Sequence, residues 1–297
     1  AGFDLFDIGL FCNGRHRSTV HSDRQDRSQH KNREIEFAMD SAAVLFSFDD
    51  GVAEITLNRP DNRNSMTPDL IAGFAEAMAR LLEIEAEVRC LIITGRGSSF
   101  CAGGDFSGDR VQQQLPHERL LATYRSFLQI AELKMPVIGA LNGHAIGGGF
   151  GVALICDLRI ANRDALYGAN FARLGLHSGM SISYMLPRIV GLPRAAELLF
   201  TGRRINGAEA ERIGLVNAAV EAEQVLPRAR ALAREIAVCA PVAVRMMKRS
   251  LYLNAPWDPQ RAADFEAHCQ SRTFETEDSR EGITALLEKR EPRFQGR

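Results

Sequence analysis

The sequence predicts an α/β protein whose first two thirds carry buried strands between helices and whose last third is helical. Three observations carry this. Residues 90–94 and 136–141 are short, continuous apolar runs, each ending in a glycine-bearing loop and each followed by a helical pattern. Residues 44–48 and 52–57 alternate apolar and polar around Asp49-Asp50-Gly51, a hairpin signal. After Pro193 the strand signal nearly stops. With 297 residues and 45% hydrophobic content, the chain can bury one large core or two modest ones.

In chain order, the hairpin is followed by a helix from Pro68 to Ile84, with Thr67 at its N-cap and proline at its first position. The strand at 90–94 feeds a glycine loop and then an amphipathic helix that carries Tyr124. The strand at 136–141 feeds a second glycine loop that opens an apolar helix. Residues 152–155 and then 158–161 repeat the buried-strand theme at shorter spacing. Segments 195–200, 207–213, 225–237, 242–253, 259–273 and 278–289 read as successive helices, with 216–220 a short strand or extended segment between them. No linker rich in Pro, Gly or Ser separates the halves, so a helical region, 193–297, is expected to pack on a core, 39–192. Residues 13–33 hold a single apolar side chain, Val20, and cannot offset their ordering entropy. Residues 1–38 carry six acidic and six basic residues, unlike an acid-poor transit peptide. They are expected to be a disordered extension, with an artefactual start as one origin.

Composition excludes several functions. A balance of 36 Lys+Arg against 37 Asp+Glu argues against a polyanion-binding protein, so no nucleic-acid partner is expected. No run of 18 apolar residues occurs, so no membrane span is expected. Six scattered cysteines form no CxxC pair and no Cys/His metal spacing, which points to a reducing, cytoplasmic setting and no metal.

The chemistry concentrates in two glycine loops, Gly95-Arg-Gly-Ser-Ser-Phe-Cys-Ala-Gly-Gly-Asp105 and Asn142-Gly-His-Ala-Ile-Gly-Gly-Gly149. Glycines at a strand-to-helix junction allow close approach to the backbone and leave N–H groups free at a helix start. Such a terminus favours negative charge. Two loops at the carboxyl ends of two strands can converge on one oxygen atom, forming an oxyanion hole; tight helix–strand packing is the alternative reading of either loop alone. GxGxxG with its distal acid, the Walker GK[ST] and the GxSxG elbow are all absent.

Asn58-Arg-Pro60, Asn64-Ser-Met66, Ser99-Phe-Cys-Ala-Gly-Gly-Asp105, Pro136-Val-Ile-Gly-Ala-Leu-Asn-Gly-His-Ala-Ile-Gly-Gly-Gly149, Cys156-Asp-Leu-Arg-Ile-Ala161, Leu186-Pro-Arg-Ile-Val-Gly191, Thr201-Gly-Arg-Arg204, Gly214-Leu-Val-Asn217 and Glu288-Lys-Arg-Glu-Pro-Arg-Phe294 occur in this order. Together they resemble the crotonase (enoyl-CoA hydratase/isomerase) superfamily from about residue 42 to the end. The resemblance implies a ClpP/crotonase-like spiral of ββα units, a C-terminal helical trimerisation region, and homotrimers or dimers of trimers. It also implies an acyl-CoA thioester ligand, with coenzyme A entering as part of the substrate and no permanently bound cofactor. By the match, the N–H groups of Gly104 and Gly148 hold the thioester oxygen, and Asn62, Arg63, Ser65 and Ala102 lie where the family grips the CoA arm. Lys289 and Phe274 match residues that close over CoA from the chain end or a neighbouring subunit.

Hydration of an enoyl thioester needs a base for water and an acid for the α-carbon. The family's two hydratase glutamates match Gly151 and Phe171, and a third acid position matches Gly179; all three carboxylates are missing. His177 and Ser178, in the loop bounding the acyl pocket, and Tyr124 are the candidate replacements, each with a plain structural alternative as a satisfied loop or helix-face residue. His144, Asp109 and His117 are further candidates, whereas Asp105 reads as a loop-fixing residue. Two functions follow from the resemblance: an enzyme that stabilises an acyl-CoA enolate with non-standard acid/base groups, or an acyl-CoA-binding protein without catalysis. A purely structural role fits poorly, because both loops keep their glycines.

Overall fold

The computed structural model describes residues 42–105, 117–253 and 258–297. The extension expected over 1–38, and Asp109, lie outside the described residues.

Strands β1 (Val44–Asp49) and β2 (Val52–Leu57) form the expected antiparallel hairpin, with Asp49 opposite Val52. Both turn residues take positive φ, 43° at Asp50 and 79° at Gly51, which matches the twist of a two-residue turn to the strands. Helix α1 (Pro68–Glu83) begins with proline as expected, but the Thr67 side chain does not cap it: its hydroxyl bonds the Asp69 carboxylate instead. The hairpin joins β3 (Cys90–Gly95), β5 (Val137–Leu141), β7 (Leu158–Asn162) and β10 (Ala218–Val220) in a six-stranded sheet of order β1-β2-β3-β5-β7-β10, parallel from β2 onward.

A second sheet was not anticipated. Its strands, β4 (Ser99–Cys101), β6 (His144–Ile146), β8 (Leu166–Gly168) and β9 (Ile205–Asn206), are two or three residues long and lie inside segments that read as loops. Each of β3, β5 and β7 is thus followed by one short strand of the second sheet and then by helical structure. After β4 comes α2 (His117–Leu128), and after β6 comes α3 (Gly148–Ile155). After β8 come a 3-10 turn (Asn170–Leu174) and α4 (Ile182–Val190). This is the ββα spiral that the family resemblance implies.

One element differs in type. Residues 152–155, expected to repeat the strand theme, are the second half of α3, every residue of which is buried. An element buried on all sides has no polar face, so a short apolar run cannot be assigned to helix or strand by its period. The remaining helices are α5 (Leu192–Thr201), α6 (Gly207–Arg212), α7 (Val225–Ala237), α8 (Pro241–Leu253), α9 (Pro259–Phe274) and α10 (Glu277–Glu288).

The large sheet is covered on both faces, as a parallel sheet requires. Along β3 the side chains alternate: Leu91 and Ile93 join the core shared with α1, α3 and the second sheet, while Cys90 and Ile92 face Val225, Ala229 and Ala233 of α7. Spacing of four residues puts those three α7 side chains on one stripe. Helix α8 is anchored by a polar pin: Lys248 Nζ donates to Asp157 (2.8 Å) and to the Met135 carbonyl (2.8 Å). Asp157 also accepts the Val137 N–H (2.7 Å) and the Tyr252 hydroxyl (2.5 Å), so its carboxylate joins β5, β7 and α8. The chain end is tied in by Arg89, which donates to the carbonyls of Ala237 (3.1 Å) and Phe294 (2.8 Å).

Because Lys248 and Asp157 are both largely buried, removing one partner leaves the other charge uncompensated. Lys248→Ala is expected to lower unfolding free energy by about 3–5 kcal/mol, measured by chemical denaturation. A loss below about 1 kcal/mol, the level of a surface pair, would show that the pin does not anchor α8.

Candidate active site

The site is built where the two glycine loops meet. Gly103, at φ +83°, presents its Cα to the second loop so closely that a Cβ there would sit 2.5 Å from the Ile146 carbonyl oxygen and 2.9 Å from the Gly148 nitrogen. A Cβ on Gly149 would run into the Cys101 carbonyl oxygen. Main chain packs on main chain at both points, so these positions exclude any side chain. Asparagines lock the loops in this register. Asn64, fully buried, accepts the Arg59 N–H (2.7 Å) and donates to the carbonyls of Ser99 (2.8 Å) and Arg96 (3.1 Å). Asn142 accepts the Gly95 N–H (3.0 Å), donates to Gly97 (2.9 Å), and receives Asn162 on its own carbonyl (3.0 Å).

Gly148 is the first residue of α3, where N–H groups have no intrahelical partner. Gly104 follows Gly103 directly and is bridged to Met66, whose N–H donates to the Gly103 carbonyl (2.8 Å). Among the described residues, neither the Gly104 N–H nor the Gly148 N–H donates to a backbone acceptor. Asp105, next in the loop, has interaction partners of its own.

The turn at Asn62, Arg63 and Ser65 lies against the first glycine loop, since Ala102 N–H donates to the Arg63 carbonyl (3.0 Å). Ser65 Oγ donates to the Asn62 carbonyl (2.7 Å), and Asn62 Oδ1 is buried without a hydrogen-bond partner. The Arg63 side chain is exposed. The structure therefore gathers Asn62, Arg63, Ser65 and Ala102 beside Gly103 and Gly104. Lys289 and Phe274 are exposed in the C-terminal helical region, and no hydrogen bond among the described residues joins them to the loops.

The three positions without carboxylates are filled by specific neighbours. A Cβ on Gly151 would collide with Met180 Cβ and lie 3.0 Å from its carbonyl oxygen. A Cβ on Gly179 would meet the Tyr124 hydroxyl and sit 2.8 Å from its Cζ. The Phe171 ring lies 3.6 Å from the Cβ position of Gly147, against the second loop. Met66 Sδ and Met180 Cγ close over Gly148, at 2.9 Å and 3.7 Å from its Cβ position. Met180 is held there by a backbone in which it and Ser181 are both left-handed, φ 53° and 55°, a conformation that costs non-glycine residues about 1–2 kcal/mol each.

Among the described candidate proton-transfer groups, Tyr124 joins this wall through its hydroxyl beside Gly179. It is half-buried, and desolvation raises its phenol above the ordinary tyrosine range, so it stays protonated at neutral pH. His177 is exposed, with Nδ1 2.7 Å from the Ser178 carbonyl, and Ser178 is half-buried in the same turn. His144 Nδ1 accepts the Leu166 N–H (2.9 Å), a tie between β6 and β8. His117 is the exposed first residue of α2. Cys101 is buried beside the loops, which pushes its thiol up to about 12 and keeps it un-ionised. No group of three metal-binding side chains is present among the described residues. Met66 and Met180 carry no signal in the sequence, since a lone methionine does not show its packing partner; Gly148 and Gly151 are the legible halves of these pairs.

Comparison with known proteins places the family of this fold. Residues 47–297 match the family model described as enoyl-CoA hydratase/isomerase. The chain is 39% identical over 252 residues to enoyl-CoA hydratase domain-containing protein 2, mitochondrial, of Bos taurus, covering 83% of this chain and 85% of that protein. It is 34% identical over 249 residues to the short-chain-enoyl-CoA hydratase of Clostridium acetobutylicum, covering 83% and 95%. The solved enoyl-CoA hydratase of Bacillus anthracis superposes with a TM-score of 0.79 at 32% identity, covering 86% of this chain and all of that one. With its spiral core and both glycine loops in place, the chain belongs to the enoyl-CoA hydratase/isomerase family.

Proposed function

We propose that the protein binds an acyl-CoA thioester and stabilises the enolate of its acyl group between the N–H groups of Gly104 and Gly148. The observation that carries this reading is the contact of the two glycine loops, which leaves two adjacent main-chain donors without a backbone acceptor at the start of α3. Two such donors, fixed before the reaction, stabilise developing negative charge without reorganisation. Asn62, Arg63, Ser65 and Ala102 form the surface for the CoA arm, where the exposed Arg63 guanidinium meets phosphate and the buried, unpartnered Asn62 Oδ1 offers an acceptor. Coenzyme A arrives with the substrate rather than as a resident cofactor. Lys289 and Phe274 contribute from the chain end, within a homotrimer or a dimer of trimers. Exposed apolar residues on α8 to α10, among them Met247, Leu251, Leu286 and Leu287, give that assembly a surface to cover. We assign a cytoplasmic setting on the five free cysteines among the described residues, and no described helix is long and apolar enough to cross a membrane.

Ordinary hydration does not fit the wall, where Met180 and Phe171 stand in place of the two carboxylates. A binding protein without catalysis is the second reading, favoured by the same apolar filling.

Three outcomes are expected. With crotonyl-CoA, loss of the conjugated thioester absorbance should run at least about 100-fold below family hydratases, the scale of one absent general acid or base; ordinary rates would show that the missing carboxylates do not matter. Calorimetric titration with a panel of acyl-CoAs should show binding that Arg63→Ala weakens about tenfold, the value of one charge-assisted contact. Gly148→Pro should remove one donor and lower any enolate turnover about 10²–10³-fold, with Met66 having to shift from its place 2.9 Å from the Cβ position, so circular dichroism checks that the variant folds. Retained turnover in that variant would move the oxyanion site elsewhere.

A further inference from the structure

If the protein holds an acyl-CoA thioester as proposed above, the two ends of the ligand leave the paired donors in different directions. The turn assigned to the CoA arm packs on the first glycine loop, through the Ala102 N–H and the Arg63 carbonyl. A thioester oxygen held by both donors sits about 3 Å from each nitrogen, so the first acyl carbons fall beside Gly148. Running away from the CoA arm, they meet the side chains packed on the second loop. The Phe171 ring lies 3.6 Å from the Cβ position of Gly147. Met180 touches two glycines at once: its Cβ takes the side-chain space of Gly151, and its Cγ lies 3.7 Å from the Cβ position of Gly148.

The backbone singles out Met180 as well. It is 1% exposed, takes φ 53°, and is followed by Ser181 at φ 55°. That region suits glycine, so a long side chain held there is fixed by its surroundings, an arrangement that recurs where a protein clamps a ligand. We propose that Met180 sets the acyl-size limit of the site. Its side chain closes the space beside Gly148 and Gly151, and an acyl chain long enough to reach this wall must displace it. Displacement is unfavourable, because a fully packed core side chain has no empty volume to move into. Shortening residue 180 instead leaves an apolar space that begins at the donors and is lined by Phe171 and Ile182. An extended acyl chain gains affinity by filling such a space.

The test measures the affinity of the full chain for acetyl-, butyryl- and octanoyl-CoA by calorimetry. In the unaltered chain, octanoyl-CoA is expected to bind no tighter than butyryl-CoA. Met180→Ala should make octanoyl-CoA at least about tenfold tighter than butyryl-CoA, since each methylene that finds an apolar space gains about fourfold. Met180→Gly suits the left-handed backbone, should show the same gain, and keeps the proposal testable if the alanine variant does not fold. Met78→Ala controls for general loosening: Met78 is a buried core residue of α1, and its truncation should leave the ratio of the two affinities unchanged. A preference of about tenfold for octanoyl-CoA in the unaltered chain would overturn the inference. So would an unchanged ratio in the folded Met180 variants, or an equal gain in Met78→Ala; each of these leaves the proposed function standing. Failure to bind any of the three thioesters would overturn the proposed function itself.

Discussion

The candidate site depends on the contact between two stretches of bare main chain. Gly103 rests on the Ile146 carbonyl and the Gly148 nitrogen, and Gly149 rests on the Cys101 carbonyl, at separations where a single methyl group would force the loops apart. Each loop leaves a strand of the large sheet, makes a short strand of the second sheet, and returns. The spacing between β3 and β5 therefore sets the spacing between the loops. Side-chain amides of Asn64 and Asn142 then satisfy the loop carbonyls and N–H groups that the second sheet is too short to pair. The result is a braced pair of loops in which, among the described residues, the Gly104 and Gly148 N–H groups have no backbone acceptor.

Around those donors the chain makes an exchange of volumes. Where a carboxylate-bearing side chain could start, at 151 and 179, there is only hydrogen, and the room goes to Met180 and Tyr124. Keeping Met180 in place requires two consecutive left-handed residues, a local cost carried by the buried core on which Met180 and Ile182 pack. Strain of this kind at a site wall marks a position set by the surrounding structure rather than by local preference. The wall is apolar at 151 and 171 although the chain has 37 acidic and 36 basic side chains.

The far side of the sheet serves stability. Asp157 collects a backbone N–H, a lysine and a tyrosine hydroxyl at the strand starts, opposite the end that carries the loops, and fixes α8 there. The polar pin thus lies at the end of the sheet away from the glycine loops, where it docks the C-terminal helices.

The sequence by itself determined the large-sheet strands, the hairpin turn, most helices, the two glycine loops and the absence of acids at 151, 171 and 179, because period, turn chemistry and glycine placement are local properties. It left the second sheet hidden, since strands of two or three residues have no period to read, and it offered residues 152–155 as a strand because a helix buried all round shows no polar face. Only the tertiary structure could show what Tyr124, His144 and His177 each touch, or find Met66 and Met180 against the second loop. Those contacts rest on which side chains meet across the fold: Tyr124 lies 55 positions from Gly179 in the chain yet fills the space beside it.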